Sequence, residues 1–219
     1  MAESAVTENY LKAVWNAAEW SERPVTVTVL ASRLGLAPSS VSESVRKLTE
    51  RGLLTHARYG AIELTPEGRR IALAIVRKHR LIETFLVDYL GYGWDEVHDE
   101  AEVLEHSVSD LFIDRLDARL GHPDADPHGD PIPAADGHLP AAGYVTLDTV
   151  DAGTRVQIVR VADSDPDLLR HLEGLGLTPG AVVEVAGNSE STGVVDLSNS
   201  GAAAALSREV ARSVRVHLC

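Results

Sequence analysis

The stretch from residue 26 to residue 64 constrains the fold of this chain more than any other. Apolar side chains recur there at helical spacing, at Val41, Val45 and Leu48. A shorter helix is predicted before them, and Gly35 suits the turn between the two because such turns often need a positive φ. Two short strands, 53–57 and 61–64, predict a β-hairpin. This order of elements predicts a winged helix-turn-helix.

The polar side of the second helix has the composition that DNA recognition requires. Small hydroxyl side chains let a helix approach base edges, and basic side chains can meet base or phosphate acceptors. A solvated helix surface has a similar composition, and some winged helices contact only proteins. The winged-helix context favours DNA binding. The expected DNA-facing residues are Thr28, Ser39, Ser40, Ser42, Glu43, Arg46 and Lys47, with Arg58 and Tyr59 at the hairpin tip.

The net charge of −13 is unevenly distributed along the chain. Residues 1–70 carry nine Lys and Arg against eight Asp and Glu, whereas residues 71–140 carry five against fifteen. Residues 141–219 carry six against ten. Only the first segment is electrostatically compatible with phosphate, so the DNA-binding surface is expected there.

Three further helices are predicted, over residues 7–20, 66–90 and 94–116. Thr7 is the expected N-cap of the first, and Thr65 that of the second, with Pro66 as its first residue. The two long helices have more apolar surface than a winged domain can cover. This surplus predicts a homodimer interface.

Nitrogen and carboxylate donors follow one face of the last of these helices. His98, Glu102, Glu105 and His106 stand at i, i+4, i+7 and i+8, and His79 and Glu83 repeat the i, i+4 spacing on the preceding helix. Imidazole and carboxylate donors without thiolate suit manganese or iron(II) better than a structural zinc. Acidic residues on a helix more often form a solvated face, so the spacing alone leaves both interpretations open.

Length and composition indicate an ordinary globular protein with room for one large or two to three small domains. The chain has no run of about 18 or more apolar residues, and its first residues lack the pattern of a secretion signal. Its single cysteine, Cys219, cannot form an intrachain disulfide. A cytoplasmic protein without membrane contact is therefore expected.

The residue pattern of the C-terminal half changes twice, at about residues 121 and 144. Residues 121–143 are rich in Pro, Gly, Asp and His and predict a linker. His122, His128 and His138 in it are expected at the surface rather than as extra metal ligands, because ligands need fixed supporting contacts. From residue 144 short alternating runs predict a small SH3-like (FeoA-like) barrel. The expected fold is mainly α with a β third domain. The expected division is a winged helix at 1–70, a helical dimerisation and metal-binding domain at 71–120, the linker, and the barrel at 144–219.

Several motifs in fixed order resemble the diphtheria toxin repressor family, and within it the actinobacterial manganese-responsive regulators. The matching segments are 65–69 (Thr-Pro-Glu-Gly-Arg), 77–81 (Arg-Lys-His-Arg-Leu), 94–101, 105–110 and 126–133. The resemblance extends over the whole chain. It implies a metal-activated, DNA-binding transcriptional repressor, which is not an enzyme.

The resemblance also implies two neighbouring ions per subunit. The primary site would use Glu102, Glu105 and His106 with Asn9 of the first helix. The ancillary site would use His79, Glu83 and His98, with Asp165 of the third domain. Iron-responsive relatives have a sulfur donor at the position of Glu102, and a carboxylate there favours Mn²⁺ over Fe²⁺.

Two positions depart from the family pattern. Asn9 stands where manganese regulators have Asp, and an amide oxygen brings no charge to an ion. Leu168 stands where iron-type relatives offer an amide, so Asp165, or Asp163 near it, is the carboxylate that the third domain can provide. Either is more often a helix N-cap than a ligand.

The expected function is a manganese-activated repressor of metal-homeostasis genes, a homodimer on a palindromic double-stranded operator, with no small organic substrate. An iron(II)-responsive regulator of the same family is the alternative. A metal-dependent hydrolase or di-iron oxidase is a rival, because such enzymes also carry Glu and His on paired helices. The third possibility is a winged-helix protein whose acidic stripe is solvated surface.

Overall fold

The computed structural model describes residues 3–21, 23–57, 60–140, 143–199 and 201–219. The chain divides into two compact units, one of residues 1–79 and 133–138, the other of residues 80–132 and 139–219. They are described separately below. The described helices include none that is both long and apolar enough to cross a membrane.

The first unit begins with three helices: α1 (Ala5–Trp20), α2 (Val27–Leu34) and α3 (Pro38–Glu50). The prediction of Thr7 as N-cap of α1 is wrong, because Ser4 caps the helix and its hydroxyl accepts a hydrogen bond from the Thr7 amide. Gly35 ends α2 with a φ of 63°, as predicted for the turn. Val41, Val45 and Leu48 are buried, which confirms the apolar stripe of α3.

A two-stranded antiparallel hairpin follows, of β1 (Leu54–His56) and β2 (Ile62–Leu64). Side chains from α1, α2, α3 and the hairpin form one core, with Leu11, Leu30, Val41 and Ile62 essentially inaccessible to solvent. The helix-turn-helix with its hairpin is the predicted winged helix. Arg58 and Tyr59, predicted at the hairpin tip, lie outside the described residues.

The long helix α4 (Pro66–Leu90) begins in the first unit and ends in the second. Thr65 caps it as predicted, with its hydroxyl accepting from the Gly68 amide at 3.1 Å. Gly91 follows the helix with a φ of 73°. Local capping chemistry therefore explains both ends of α4.

The prediction of one continuous helix from residue 94 to residue 116 is wrong. The structure has α5 (Val97–Leu104) and α6 (Asp110–Leu120) instead. The hydroxyl of Ser109 accepts from the Phe112 amide at 3.2 Å and so starts a new helix. Glu105 and His106 consequently lie beyond the end of α5, and the four-residue stripe is not one helical face.

The C-terminal part of the second unit is a six-stranded antiparallel SH3-like domain. Its strands are β3 (Val145–Thr146), β4 (Arg155–Val161), β5 (Val182–Ser189), β6 (Val194–Asn199), β7 (Ala202–Ser207) and β8 (Val214–Leu218), in the spatial order β3-β8-β4-β5-β6-β7. Short helices α7 (Pro166–Gly174) and α8 (Arg208–Arg212) interrupt them. Trp94, which precedes α5, belongs to the core of this domain.

Candidate metal centre

His98 on α5 lies between two carboxylates of the second unit. Its Nδ1 atom is 3.3 Å from Oε1 of Glu83 and 3.3 Å from Oδ2 of Asp163. Burial of the ring opposes protonation, but the hydrogen bonds to Asp163 and Glu83 prevail and raise the pKa of His98 to about 11. Burial likewise opposes ionisation of Asp163, and the hydrogen bond to His98 lowers its pKa. A protonated His98 ring is therefore attracted to both carboxylates.

Two residues of the 121–143 segment extend this cluster. Ligand atoms of Glu83, Asp126 and His128 all lie within 4.8 Å of one another, and all three side chains are buried. The expectation of a surface position for His128 is wrong, because its backbone oxygen accepts from the Val161 amide and its ring is 0% exposed. His122 and His138 are exposed, as expected.

The orientation of His128 suits coordination. Its Nε2 donates to the backbone oxygen of Trp94 at 2.6 Å, which leaves the Nδ1 lone pair of a neutral ring directed at Glu83 and Asp126. Within the described residues, neither His128 Nδ1 nor Asp126 Oδ2 makes a hydrogen bond, although both are buried. Burial and the neighbouring carboxylates of Asp130 and Glu83 raise the pKa of Asp126. These unsatisfied atoms fit a cation.

A second group of donors lies around the end of α5. Carboxylate oxygens of Glu102 and Glu105 lie within 4.8 Å of each other, and Nε2 of His106 is 3.3 Å from Oε1 of Glu105. Nε2 of His98 is 3.8 Å from Oε1 of Glu102, so His98 stands between the two groups. The structure therefore places Glu105 beside both Glu102 and His106, even though the helix ends at Leu104.

Asp165 does not occupy the place expected for it. It is exposed, and its Oδ1 accepts from the amides of Asp167 and Leu168 as the N-cap of α7. Asp163, two residues earlier, is the carboxylate beside His98. Because Oδ1 of Asp165 accepts hydrogen bonds from two amides, it has fewer lone pairs left with which to bind a metal ion.

The two remaining expected ligands belong to the first unit. Asn9 lies on α1 and is half-buried. His79 lies on α4 one turn before Glu83, and its Nδ1 is 3.0 Å from the ammonium nitrogen of Lys12. The sequence motifs do not indicate a role for Lys12. Its position among the apolar residues of α1 is the sequence feature that could have shown that this lysine is buried.

An arginine network supports the loop that carries Asp126 and His128. Arg80 donates to Oδ2 of Asp130 at 3.0 Å and to the backbone oxygen of Pro131 at 2.7 Å. Arg160 of β4 donates to Oδ1 of Asp130 and, at 3.0 Å, to the hydroxyl of Tyr144. These bonds anchor the loop between α4 and the barrel domain.

The expected DNA-facing residues share the exposed side of the helix-turn-helix. Thr28 on α2 and, on α3, Ser39, Ser40, Ser42, Glu43, Arg46 and Lys47 are all exposed. Lys47 pairs with Glu43 at 2.7 Å, and Arg46 pairs with Glu50 at 2.5 Å. The hydrogen bond from Lys47 lowers the pKa of Glu43. Exposed pairs of this kind are weak enough to open for a phosphate.

Three family models match the chain in succession. Residues 4–62 match the iron dependent repressor N-terminal DNA binding domain, and residues 65–134 match the iron dependent repressor metal binding and dimerisation domain. Residues 145–218 match the FeoA domain.

Characterised proteins resemble the chain over most of its length. The iron-dependent repressor IdeR of Mycobacterium tuberculosis is 36% identical, over 82% of this chain and 83% of that protein. The diphtheria toxin repressor of Corynebacterium diphtheriae is 31% identical over 96% of each. A solved structure described as a manganese-dependent transcriptional repressor in complex with manganese is 46% identical, covers 97% of this chain and 100% of its own, and superposes with a TM-score of 0.92. The chain therefore belongs to the diphtheria toxin repressor family of metal-dependent, DNA-binding transcriptional repressors, which are not enzymes.

Proposed function

We propose that this protein is a manganese-activated repressor of metal-homeostasis genes. The observation that carries the proposal is the donor set around His98 and His128, in which buried carboxylate oxygens and one available imidazole nitrogen converge without a sulfur atom. Hard oxygen donors compensate for the low place of Mn²⁺ in the general order of metal affinity. The 46% identity to a manganese-dependent repressor supports the same choice.

We assign about two ions per subunit to two groups of residues. Glu102, Glu105 and His106, with Asn9, would hold the first. Glu83, His98 and Asp163 would hold the second, where Asp126 and His128 add donors that the motifs did not indicate. His79, one turn before Glu83 on α4, is a further ligand in this proposal. Asp163 replaces Asp165 because it is the carboxylate beside His98.

The chain's own residues then couple metal to DNA. Without metal, the buried carboxylates of Glu83 and Asp126 repel each other and favour looser arrangements. A bound divalent cation supplies the positive charge that removes this repulsion. Asn9 belongs to the DNA-binding unit and Glu102, Glu105 and His106 to the other, so a shared ligand set would favour one arrangement of the two.

The DNA-competent form in this proposal is a homodimer on a palindromic operator. Exposed apolar side chains at Val103, Leu111 and Phe112 of α5 and α6 are suited to a subunit interface. Two recognition helices would then meet half-sites about one duplex turn, ~34 Å, apart. We retain the division into domains at 1–70, 71–120 and 144–219 with a linker at 121–143, and place the protein in the cytoplasm with the DNA that it binds.

The iron(II) alternative has a specific observation in its favour, because the relatives found by sequence include the iron-dependent repressor IdeR. Calorimetry decides between the ions and also tests the whole proposal. Mn(II), Fe(II) and Zn(II) are titrated into the metal-free protein, with and without a palindromic fragment selected from random duplexes by the Mn(II)-loaded protein.

A sensor shows reciprocal coupling: metal tightens DNA binding and DNA tightens metal binding by the same factor. Metal binding that is independent of DNA would contradict the proposal and favour a metalloenzyme. Absence of metal binding at micromolar concentration would favour the solvated acidic surface.

A further inference from the structure

Lys12 is a buried cation on the helix that begins the DNA-binding unit. It is 4% exposed and shares the buried side of α1 with Tyr10, Leu11 and Val14. Lysine is almost never fully buried unless it is paired, because removal of an ammonium group from water is costly. The ammonium nitrogen of Lys12 lies 3.0 Å from Nδ1 of His79, which is also 4% exposed.

The chemistry of this pair determines the state of the His79 ring. An ammonium group has donors and no acceptor, so Nδ1 of His79 must accept the hydrogen bond. The proton of the neutral imidazole is then on Nε2. In this state neither ring nitrogen offers a free lone pair to a metal ion. His128 is the opposite case, because its Nε2 donates to Trp94 and its Nδ1 remains available.

We infer that Lys12 holds His79 in a non-coordinating tautomer, and that His79 can bind metal only after the Lys12–His79 hydrogen bond has broken. The inference rests on the proposed role of His79 as a metal ligand. Coordination through Nδ1 displaces the ammonium group, and coordination through Nε2 moves the ring proton to Nδ1, where the ammonium group can no longer donate. Lys12 is therefore a positioning residue that raises the metal concentration at which the repressor responds.

The location of Lys12 makes this effect specific to the DNA-binding unit. Lys12 follows Asn9 by three residues on α1, so both side chains lie on the same side of that helix. Loss of the Lys12–His79 bond would release a contact between α1 and α4 in the unit that carries the recognition helix α3. Occupation of His79 by metal is thus linked to the internal contacts of the DNA reader.

The test uses the full chain and the variants Lys12→Met, His79→Ala, the double variant and Arg155→Met. Lys12→Met keeps the length of the side chain without its charge. Arg155→Met removes one charge from an exposed position on β4 and controls for net charge. Mn(II) affinity is measured by electron paramagnetic resonance of the free ion. Nitrogen-15 NMR of the metal-free protein reports the His79 tautomer, assigned with His79→Ala.

We expect a proton on Nε2 of His79 in the metal-free wild type, and a mixture of tautomers in Lys12→Met. The Kd for Mn(II) at the site of His79 should fall about tenfold or more in Lys12→Met, because a hydrogen bond from a charged group no longer competes. Arg155→Met should retain the wild-type Kd. In the double variant, Lys12→Met should not increase the Mn(II) affinity above that of His79→Ala, since its effect acts through His79.

Two results would overturn the inference while leaving the proposed function intact. One is that His79→Ala binds Mn(II) more weakly than the wild type, while the Kd of Lys12→Met for Mn(II) is equal to or above the wild-type Kd. The other is a proton on Nδ1 of His79 in the metal-free wild type. Wild-type Mn(II) affinity in His79→Ala would instead remove His79 from the ligand set. Circular dichroism melts of the metal-free variants show whether each one is folded.

Discussion

Nδ1 of His98 lies 3.3 Å from Oδ2 of Asp163, so an imidazole on α5 is joined to a carboxylate that follows β4. Folding raises the pKa of His98 from the ordinary 6.5 to about 11. The protonated ring therefore stabilises the metal-free protein fully below pH 6.5, and this stabilisation is lost as the pH rises towards 11.

We predict that the free energy of unfolding of the metal-free protein falls between pH 7 and pH 9, with a contribution from His98 of at most about 1.4 kcal/mol per pH unit. Urea denaturation at pH 7, 8 and 9 measures the slope. In Asp163→Asn the slope should be shallower, because the amide does not stabilise the imidazolium. Equal slopes in the two proteins would contradict the assigned pKa.

Glu102 and His106 should be required for metal-dependent DNA binding. Glu102→Ala and His106→Ala each remove a donor from the first ligand group, and we expect loss of the affinity gain that Mn(II) gives the wild type for its operator. Fluorescence anisotropy with a labelled operator, with and without Mn(II), measures the gain. Asp99→Ala removes an exposed carboxylate from the same helix and should leave it unchanged. A Glu102→Ala protein that still responds to Mn(II) would disprove the assignment.

The carboxylate of Asp126 should lower the stability of the metal-free protein and raise its affinity for metal. Its buried carboxylate has a raised pKa, so its ionised form destabilises the metal-free fold at pH 8. We predict that Asp126→Asn raises the free energy of unfolding of the metal-free protein by about 1 kcal/mol and weakens binding of the second ion. Denaturation and Mn(II) titration measure the two effects, with exposed Asp124→Asn as the control. A variant that is weaker in metal binding and also less stable would contradict this explanation.

Gly129 should be irreplaceable in the loop of His128. A Cβ atom at Gly129 would lie 1.9 Å from the backbone oxygen of Val159, whereas one at Gly121 would meet nothing within 4 Å. Both glycines have a φ near +80°, so alanine at either position carries similar backbone strain, about 1 kcal/mol. We predict that Gly129→Ala lowers the free energy of unfolding by at least about 2 kcal/mol more than Gly121→Ala does. Similar losses would show that the loop can move away from β4.

Arg46 should contribute to operator affinity through charge. If it meets a phosphate, Arg46→Ala weakens binding of the Mn(II)-loaded protein to all duplexes alike and lowers the slope of log K against log salt concentration by about 1. Arg170→Ala, which removes an exposed cation from α7, should change neither quantity. A loss confined to the operator, with an unchanged salt slope, would assign Arg46 to base recognition instead.

Local sequence signals were sufficient for the winged helix and for α4. Both elements depend on residues that are close together in the sequence. The apolar spacing of Val41, Val45 and Leu48 determines the buried face of α3, and Thr65 and Pro66 determine where α4 begins. The break between α5 and α6 had a local signal as well. Ser109 followed by Asp110 is a typical helix start, but the continuing apolar pattern concealed it.

The rest of the metal centre depends on contacts between distant segments. A loop rich in Pro, Gly and Asp indicates exposure, and the bonds of His128 with Val161 and Trp94 reverse this for His128. The choice between Asp163 and Asp165 depends on the path of the chain after β4. The four alanines of strand β7 have little strand preference, so its sequence does not indicate a strand. Pairing with β6 makes it one.

Trp94 contributes its ring to the core of the barrel domain and its backbone oxygen to His128. The barrel is consequently not a detachable module. A chain shortened to end before Tyr144 would expose this tryptophan and remove the Val161 amide that holds the His128 loop. Engineers who seek a minimal two-domain version of this regulator should therefore redesign the residues that precede α5 along with the truncation.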